Sequence, residues 1–160
     1  MSTPEAALIN RFYEAFSRGD WATMAACYHA DAQFSDPVFP ALAGRQPAAM
    51  WRMLLEGAKS LEIVWNQVEG GQGVGRAHWE AKYPFSQTGR QVHNRIDAEF
   101  VFKDGLILRH TDTFDLWAWS RMALGPVGML LGWSPIIRNK VRKMAGGRLA
   151  QFIERHPEYR

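Results

Sequence analysis

Three side chains in this chain of 160 residues have the types and placement for proton chemistry: Asp36, His110 and Asp112. His110 and Asp112 stand two residues apart in a segment where Leu106, Leu108, His110, Asp112 and Phe114 fall on one side of a strand. Same-side neighbours at that spacing lie roughly 6.5–7 Å apart along the strand, within reach of an imidazole–carboxylate pair. A carboxylate between Leu108 and Phe114 is costly unless it is paired or protonated. Asp112 must therefore be answered by His110, or by Asn94 or Tyr83 on neighbouring strands. Asp36 precedes Pro37 at the end of an extended stretch. Its carboxylate either turns back onto its own loop or faces the mouth of a cavity. Carboxylates tuned by burial suit general acid–base catalysis.

The elements that must position these groups follow from periodicity. Leu8, Ile9, Phe12, Tyr13 and Phe16 mark a helix over Glu5 to Arg18, stopped by Gly19. Asp20 caps a short second helix, Trp21 to Tyr28. Ala32 to Asp36 is extended, Pro37, Pro40 and Gly44 make an irregular loop, and a third helix runs from Pro47 to about Ala58. Four strands come next: Leu61–Val68, Val74–Phe85, Gln91–Phe102 and Leu106–Leu116. Lys103-Asp104-Gly105 is a hairpin turn. A three-residue turn would set Phe102 against Leu106, Glu99 against Arg109, Ala98 against His110 and Ile96 against Asp112. That register matches apolar with apolar and acid with base. The expected fold class is α+β, with a cone-shaped barrel of curved, mainly antiparallel sheet wrapped around the N-terminal helices and a cavity between them.

Gly19-Asp20-Trp21, Tyr28-His-Ala-Asp31-Ala-Gln-Phe34 and Asp36-Pro37 resemble the opening of the nuclear transport factor 2-like superfamily. Lys103-Asp104-Gly105-Leu106-Ile107 and His110-Thr-Asp112-Thr-Phe114-Asp115 are similar to its final strands. The resemblance covers about residues 5–118 and is narrowest to the SnoaL-like branch, with its ketosteroid isomerases, polyketide cyclases and limonene-epoxide hydrolases. It implies a small-molecule site, and the scaffold hosts enzymes and binding modules alike. Asp36 falls where the isomerases place a proton-shuttling carboxylate, an example familiar for its modestly raised pKa. Their phenol falls on Phe12 and their protonated aspartate at or beside Ala98, so both oxyanion donors are missing. Asp112 falls where cyclases and epoxide hydrolases place a catalytic aspartate. The hydrolases' Arg-x-Asp is spelled by Arg95-Ile96-Asp97, one strand late and on the outer face, while the earlier strand offers His78-Trp79-Glu80.

Phe12, Trp51, Trp79, Tyr83, Asn94, Phe100 and Phe114 are the candidate substrate-binding residues, each with an ordinary core role as the alternative. His29-Ala-Asp31 offers two metal ligands without convincing partners, so no metal is expected, and no nucleotide-binding motif implies a cofactor. The single Cys27 leaves no internal disulfide. Apolar types at 47% and charged types at 22% exclude a disordered chain. Without a signal-like start or a span of roughly 18 apolar residues, the expected compartment is the cytoplasm.

Charge divides the chain. Residues 1–116 hold 11 Lys/Arg against 14 Asp/Glu, a net −3, and residues 117–160 hold 8 against 2, a net +6. A core domain over 1–118 and a basic helical extension over 119–160 are expected, with Gly146-Gly147 bending or breaking the last helix. The extension caps the cavity or completes a homodimer. An anionic membrane surface is a secondary reading, and nucleic acid is not favoured because aromatic and basic residues are not interleaved. The resulting expectation is a small-molecule-binding protein doing cofactor-free isomerase, cyclase or hydrolase chemistry on a small apolar carbonyl or epoxide compound. The alternatives are a non-catalytic carrier, or a membrane- or partner-associated module using the tail.

Overall fold

Thr3 starts the first helix by accepting a hydrogen bond from the Ala6 N–H at 3.1 Å, with Pro4 behind it. In the computed structural model, which describes residues 2–160, helix α1 (Pro4–Ser17) buries Ile9, Phe12, Tyr13, Ala15 and Phe16. Asp20 accepts from the Thr23 N–H at 3.0 Å and begins α2 (Trp21–Ala26). Strand β1 (Tyr28–Ser35), the two-residue β2 (Leu42–Ala43) and α3 (Gln46–Gly57) follow. The meander is β3 (Glu62–Gly71), β4 (Val74–Pro84), β5 (Gln91–Lys103) and β6 (Leu106–Thr113).

All six strands form one sheet in the order β2-β1-β6-β5-β4-β3, with β1 parallel to β6 and every other pair antiparallel. The expected barrel does not close, because β2 and β3 remain as edges. On the inner face Trp79, Ala81, Val92, Ile96, Ala98 and Phe100 meet the helices. On the outer face His78 bridges Glu80 and Asp97 at 2.9 Å each, and His93 reaches Glu80 at 2.6 Å.

The β5–β6 register differs from the one expected. The turn is two residues long: Asp104 and Gly105 both take positive φ, 56° and 75°, as a type I′ hairpin demands. Lys103 pairs with Leu106 and Phe102 with Ile107, then Leu108 is left over as a bulge and Val101 pairs with Arg109. His110 therefore opposes Phe100, not Ala98, and Asp112 opposes Ala98, not Ile96. The bulge also switches faces: Ile107 is buried, while Leu106 and Leu108 are only partly covered. The inward direction of His110 and Asp112 survives because the shift is two residues, an even number.

The extension makes three helices, α4 (Leu116–Leu124), α5 (Pro126–Leu131) and α6 (Pro135–Arg155). Leu116, Trp119 and Ala123 of α4 form a second apolar cluster with Val92 and Val141. Leu149 and Phe152 of α6 join the main core. Gly146-Gly147 neither breaks nor ends α6. Buried anchors on both sides, Val141 before and Leu149 after, outweigh the roughly 1 kcal/mol that each glycine costs a helix.

Candidate functional site

Strand β6 carries the imidazole and the carboxylate into the aromatic interior, where His110 is 0% and Asp112 3% exposed. His110 Nε2 lies 2.9 Å from Asp112 Oδ1, and Nδ1 lies 2.8 Å from the Tyr28 hydroxyl. Trp51 Nε1 donates to the Tyr28 oxygen at 2.9 Å, and Trp79 Nε1 donates to Asp112 Oδ1 at 3.4 Å. A neutral imidazole protonated on Nε2 satisfies the whole chain: Tyr28 donates to Nδ1 and Nε2–H donates to the carboxylate. Burial pushes the Tyr28 phenol well above its usual range, with the Asp112 charge adding to the rise, so it stays an O–H donor. The rings of Phe100, Phe34 and Phe12 approach the imidazole edge-on or tilted, with centroids 4.4, 5.0 and 5.6 Å away, and Trp51 stacks at 6.2 Å.

Three buried side-chain oxygens among the described residues are left over, Ser120 Oγ on α4 and two beside this pair. Asp112 Oδ2 and the Tyr13 hydroxyl have no hydrogen-bond partner in the protein. Tyr13 is likewise held protonated, by burial first and the Asp112 charge second. An unanswered buried oxygen costs about 1–3 kcal/mol, more for a charged one, so these groups are either strain or function.

Asp36 Oδ1 accepts from the Val38 and Phe39 N–H groups at 2.7 and 2.5 Å, the loop-bound turn that its position before Pro37 allows. Its Oδ2 accepts from no described residue. Burial pushes its pKa to about 6, against the two N–H bonds, and the neighbouring Asp112 carboxylate pushes the same way. The folded protein thus holds this proton more tightly than the unfolded chain, whose value is near 3.8. Its contribution is full below about pH 4 and is lost as pH rises through about 6, on the order of 3 kcal/mol. Urea unfolding of wild type and Asp36→Asn from pH 4 to 7 checks this: the difference between the two should shift in the variant's favour as pH rises.

Of the residues expected around the site, Phe12, Trp51, Trp79 and Phe100 gather on the His110–Asp112 pair. Tyr83 stands beside Asp36, whose charge helps raise its phenol after burial does, and it accepts from Trp119 Nε1 at 2.8 Å. Neither it nor Asn94 answers Asp112; His110 and Trp79 do. Asn94 is buried opposite Ala81 on β5. Phe114 lies past the end of β6 and lines an outer hollow of ≈ 450 Å³ with Pro37, Trp117 and Trp133. A shallow hollow of ≈ 710 Å³ on the sheet is bordered by Arg76, Glu99 and Arg109. His110 and Asp112 line neither hollow. The expected open wedge between sheet and helices holds packed aromatic rings instead.

Tyr28, Tyr13 and Phe34 lie around the pair without having been expected there, Tyr13 being read only as part of the apolar face of the first helix. Tyr28 counts as the end of the second helix by its local pattern, yet it is the first residue of β1, paired alongside Ile107. An extended stretch beginning four residues earlier, at Tyr28 instead of Ala32, would have turned its phenol towards β6.

No curated protein matches the chain. Among solved structures, an epoxide hydrolase of limonene-epoxide-hydrolase type from M. tuberculosis is 19% identical, covers 81% of this chain and 97% of its own, and superposes with a TM-score of 0.65. A candidate polyketide cyclase from Xanthomonas campestris is 21% identical over 74% and 96% of the two chains, with a TM-score of 0.63. A nuclear transport factor 2-like protein of unknown function from Burkholderia pseudomallei is 14% identical over 76% and 98%, with a TM-score of 0.66. These likenesses establish the fold: helices before an open six-stranded sheet. Residues 9–110 match the SnoaL-like domain, well over half of the chain. With that match, the chain belongs to the SnoaL-like domain family.

Proposed function

We propose that this protein binds a small, largely apolar carbonyl or epoxide compound and moves a proton on it without a cofactor, by isomerisation, ring closure or ring opening. One observation carries the reading: each of the two acidic side chains has one oxygen tied to the protein and the other free of any protein donor. Asp112 is the acid–base through Oδ2, held at Oδ1 by His110 and Trp79. Tyr28 and Trp51 are positioning residues, because they fix the imidazole rather than touch the ligand. Asp36, whose carboxyl burial lifts to about 6, returns the second proton or anchors the substrate. The Tyr13 hydroxyl donates to the ligand oxygen, in place of the phenol missing at Phe12. Admission of the ligand requires the rings over His110 to shift. The outer sheet face, with its shallow hollow, serves a homodimer.

A fold shared with an epoxide hydrolase and a candidate cyclase supports this class of chemistry. The complete burial of His110 and the use of both its nitrogens favour a second reading, a carrier whose polar chain only orients a ligand. Turnover of a panel of small enones, ketones and epoxides separates the two. Asp112→Asn should lower kcat on any responsive substrate about 100-fold or more with KM little changed. An unchanged rate removes Asp112 from the chemistry, and saturable binding without turnover across the panel supports the carrier.

A further inference from the structure

Eight of the eleven exposed large apolar side chains among the described residues fall between Trp117 and Met144. Helix α5 is responsible, because it packs with its sides reversed. A Cβ on Gly128 would lie 1.9 Å from the Ser120 carbonyl oxygen, and one on Gly132 would lie 2.7 Å from the Ser120 side chain. Glycine thus lets the α5 backbone rest directly on α4, while Val127, Met129, Leu130 and Leu131 stay in solvent. Beyond them, Trp133 and Ile136 are 64% and 76% exposed. The indole N–H groups do not account for the exposure: Trp133 Nε1 donates to the Leu130 carbonyl at 2.8 Å and Trp117 Nε1 to that of Met129 at 3.3 Å. Carbon faces are what remain.

Cations surround this patch. Between Leu116 and Ile153 the sequence holds no acidic residue, and Arg121, Arg138, Lys140, Arg142, Lys143 and Arg148 all lie there. None of them forms an ion pair among the described residues, whereas Arg18, Arg52 and Arg76 elsewhere do. Arg138 and Arg142 are one helical turn apart, a like-charge spacing that destabilises a helix without a counter-charge. Together with Trp117, Trp133 and a single carboxylate, Asp115, they line the ≈ 450 Å³ hollow, where cations outnumber the acid. A second copy docked about a twofold axis would bring the same cations face to face. Among the described residues no helix is long and apolar enough to cross a membrane.

We propose that the α5–α6 corner is a docking surface for an anionic lipid bilayer, seating Leu130, Leu131, Trp133 and Ile136 at the acyl boundary and Arg138, Lys140 and Lys143 among the headgroups. The inference rests on the extension alone and holds whichever role Asp112 plays. Co-sedimentation of the full chain with phosphatidylcholine vesicles, with and without a third of phosphatidylglycerol, tests it. Binding to the anionic vesicles at low salt and its loss at high salt are expected. Lys143→Gln should weaken partitioning roughly fivefold, and Leu130→Asp should do so by at least as much. Both sites are exposed, so an unchanged unfolding midpoint will show that the fold is intact. Absence of binding to anionic vesicles overturns the proposal, as does binding that Leu130→Asp leaves untouched. A dimer in analytical ultracentrifugation that Leu130→Asp dissolves would assign the patch to a second copy instead.

Discussion

Phe12→Ala is expected to cost about 3–5 kcal/mol of folding stability, with an unfolding midpoint lower by roughly 10 °C. The ring is 0% exposed and meets Tyr13, Tyr28, His110 and Trp51 edge-on at centroid distances of 5.2, 5.6, 5.6 and 5.9 Å. Truncation removes the apolar transfer energy and leaves a hole, because neighbouring rings braced by the hydrogen bonds of Tyr28 and Trp51 cannot simply collapse into it. Phe12→Leu keeps most of the volume and should lose less than about 1.5 kcal/mol. Urea unfolding monitored by circular dichroism gives both values. A loss under about 1 kcal/mol for the alanine variant would mean that the rings over His110 rearrange freely.

The second large effect concerns the buried pair. His110→Leu should cost about 3–5 kcal/mol, because it removes the main partner of a covered carboxylate and leaves the Tyr28 hydroxyl without its acceptor. Replacing both members, as His110→Leu with Asp112→Val, should recover most of that loss, since an apolar pair carries no desolvation penalty. The non-additivity, on the order of 1–3 kcal/mol in a double-mutant cycle, measures how far the two side chains depend on each other. A single His110→Leu variant as stable as wild type would show that the imidazole holds nothing in place.

How much of this was legible in the sequence varies from residue to residue. Alternation along Gln91–Phe102 marked the inner face, and His110 and Asp112 reach it because the observed pairing differs from the expected one by two residues; of the three partners left open for Asp112, His110 is the one it meets at 2.9 Å. The exact register was not legible. Matching Glu99 to Arg109 by charge is worth a fraction of a kcal/mol at an exposed position, whereas Asp104-Gly105 fits a two-residue I′ turn through its backbone preferences and prevails. The Leu108 bulge that absorbs the difference leaves no trace in periodicity. Tyr28 was missed for a related reason: its contact with His110 spans 82 residues and depends on the parallel β1–β6 pairing, which no local pattern announces.

Asp36 shows the opposite case. Its position before Pro37 made the loop-bound turn readable, and Oδ1 makes that turn by accepting from Val38 and Phe39. In the extension, composition disclosed the basic and apolar content, but not that glycines on α5 would turn the bulky residues outward.

A crystal structure of the protein soaked with a small apolar enone addresses the central claim most directly. The carbonyl oxygen should lie within hydrogen-bonding distance of the Tyr13 hydroxyl or Asp112 Oδ2, with the rings above His110 displaced to admit it. An enone lodged only in the outer hollows, over an interior whose rings have not moved, would contradict the account.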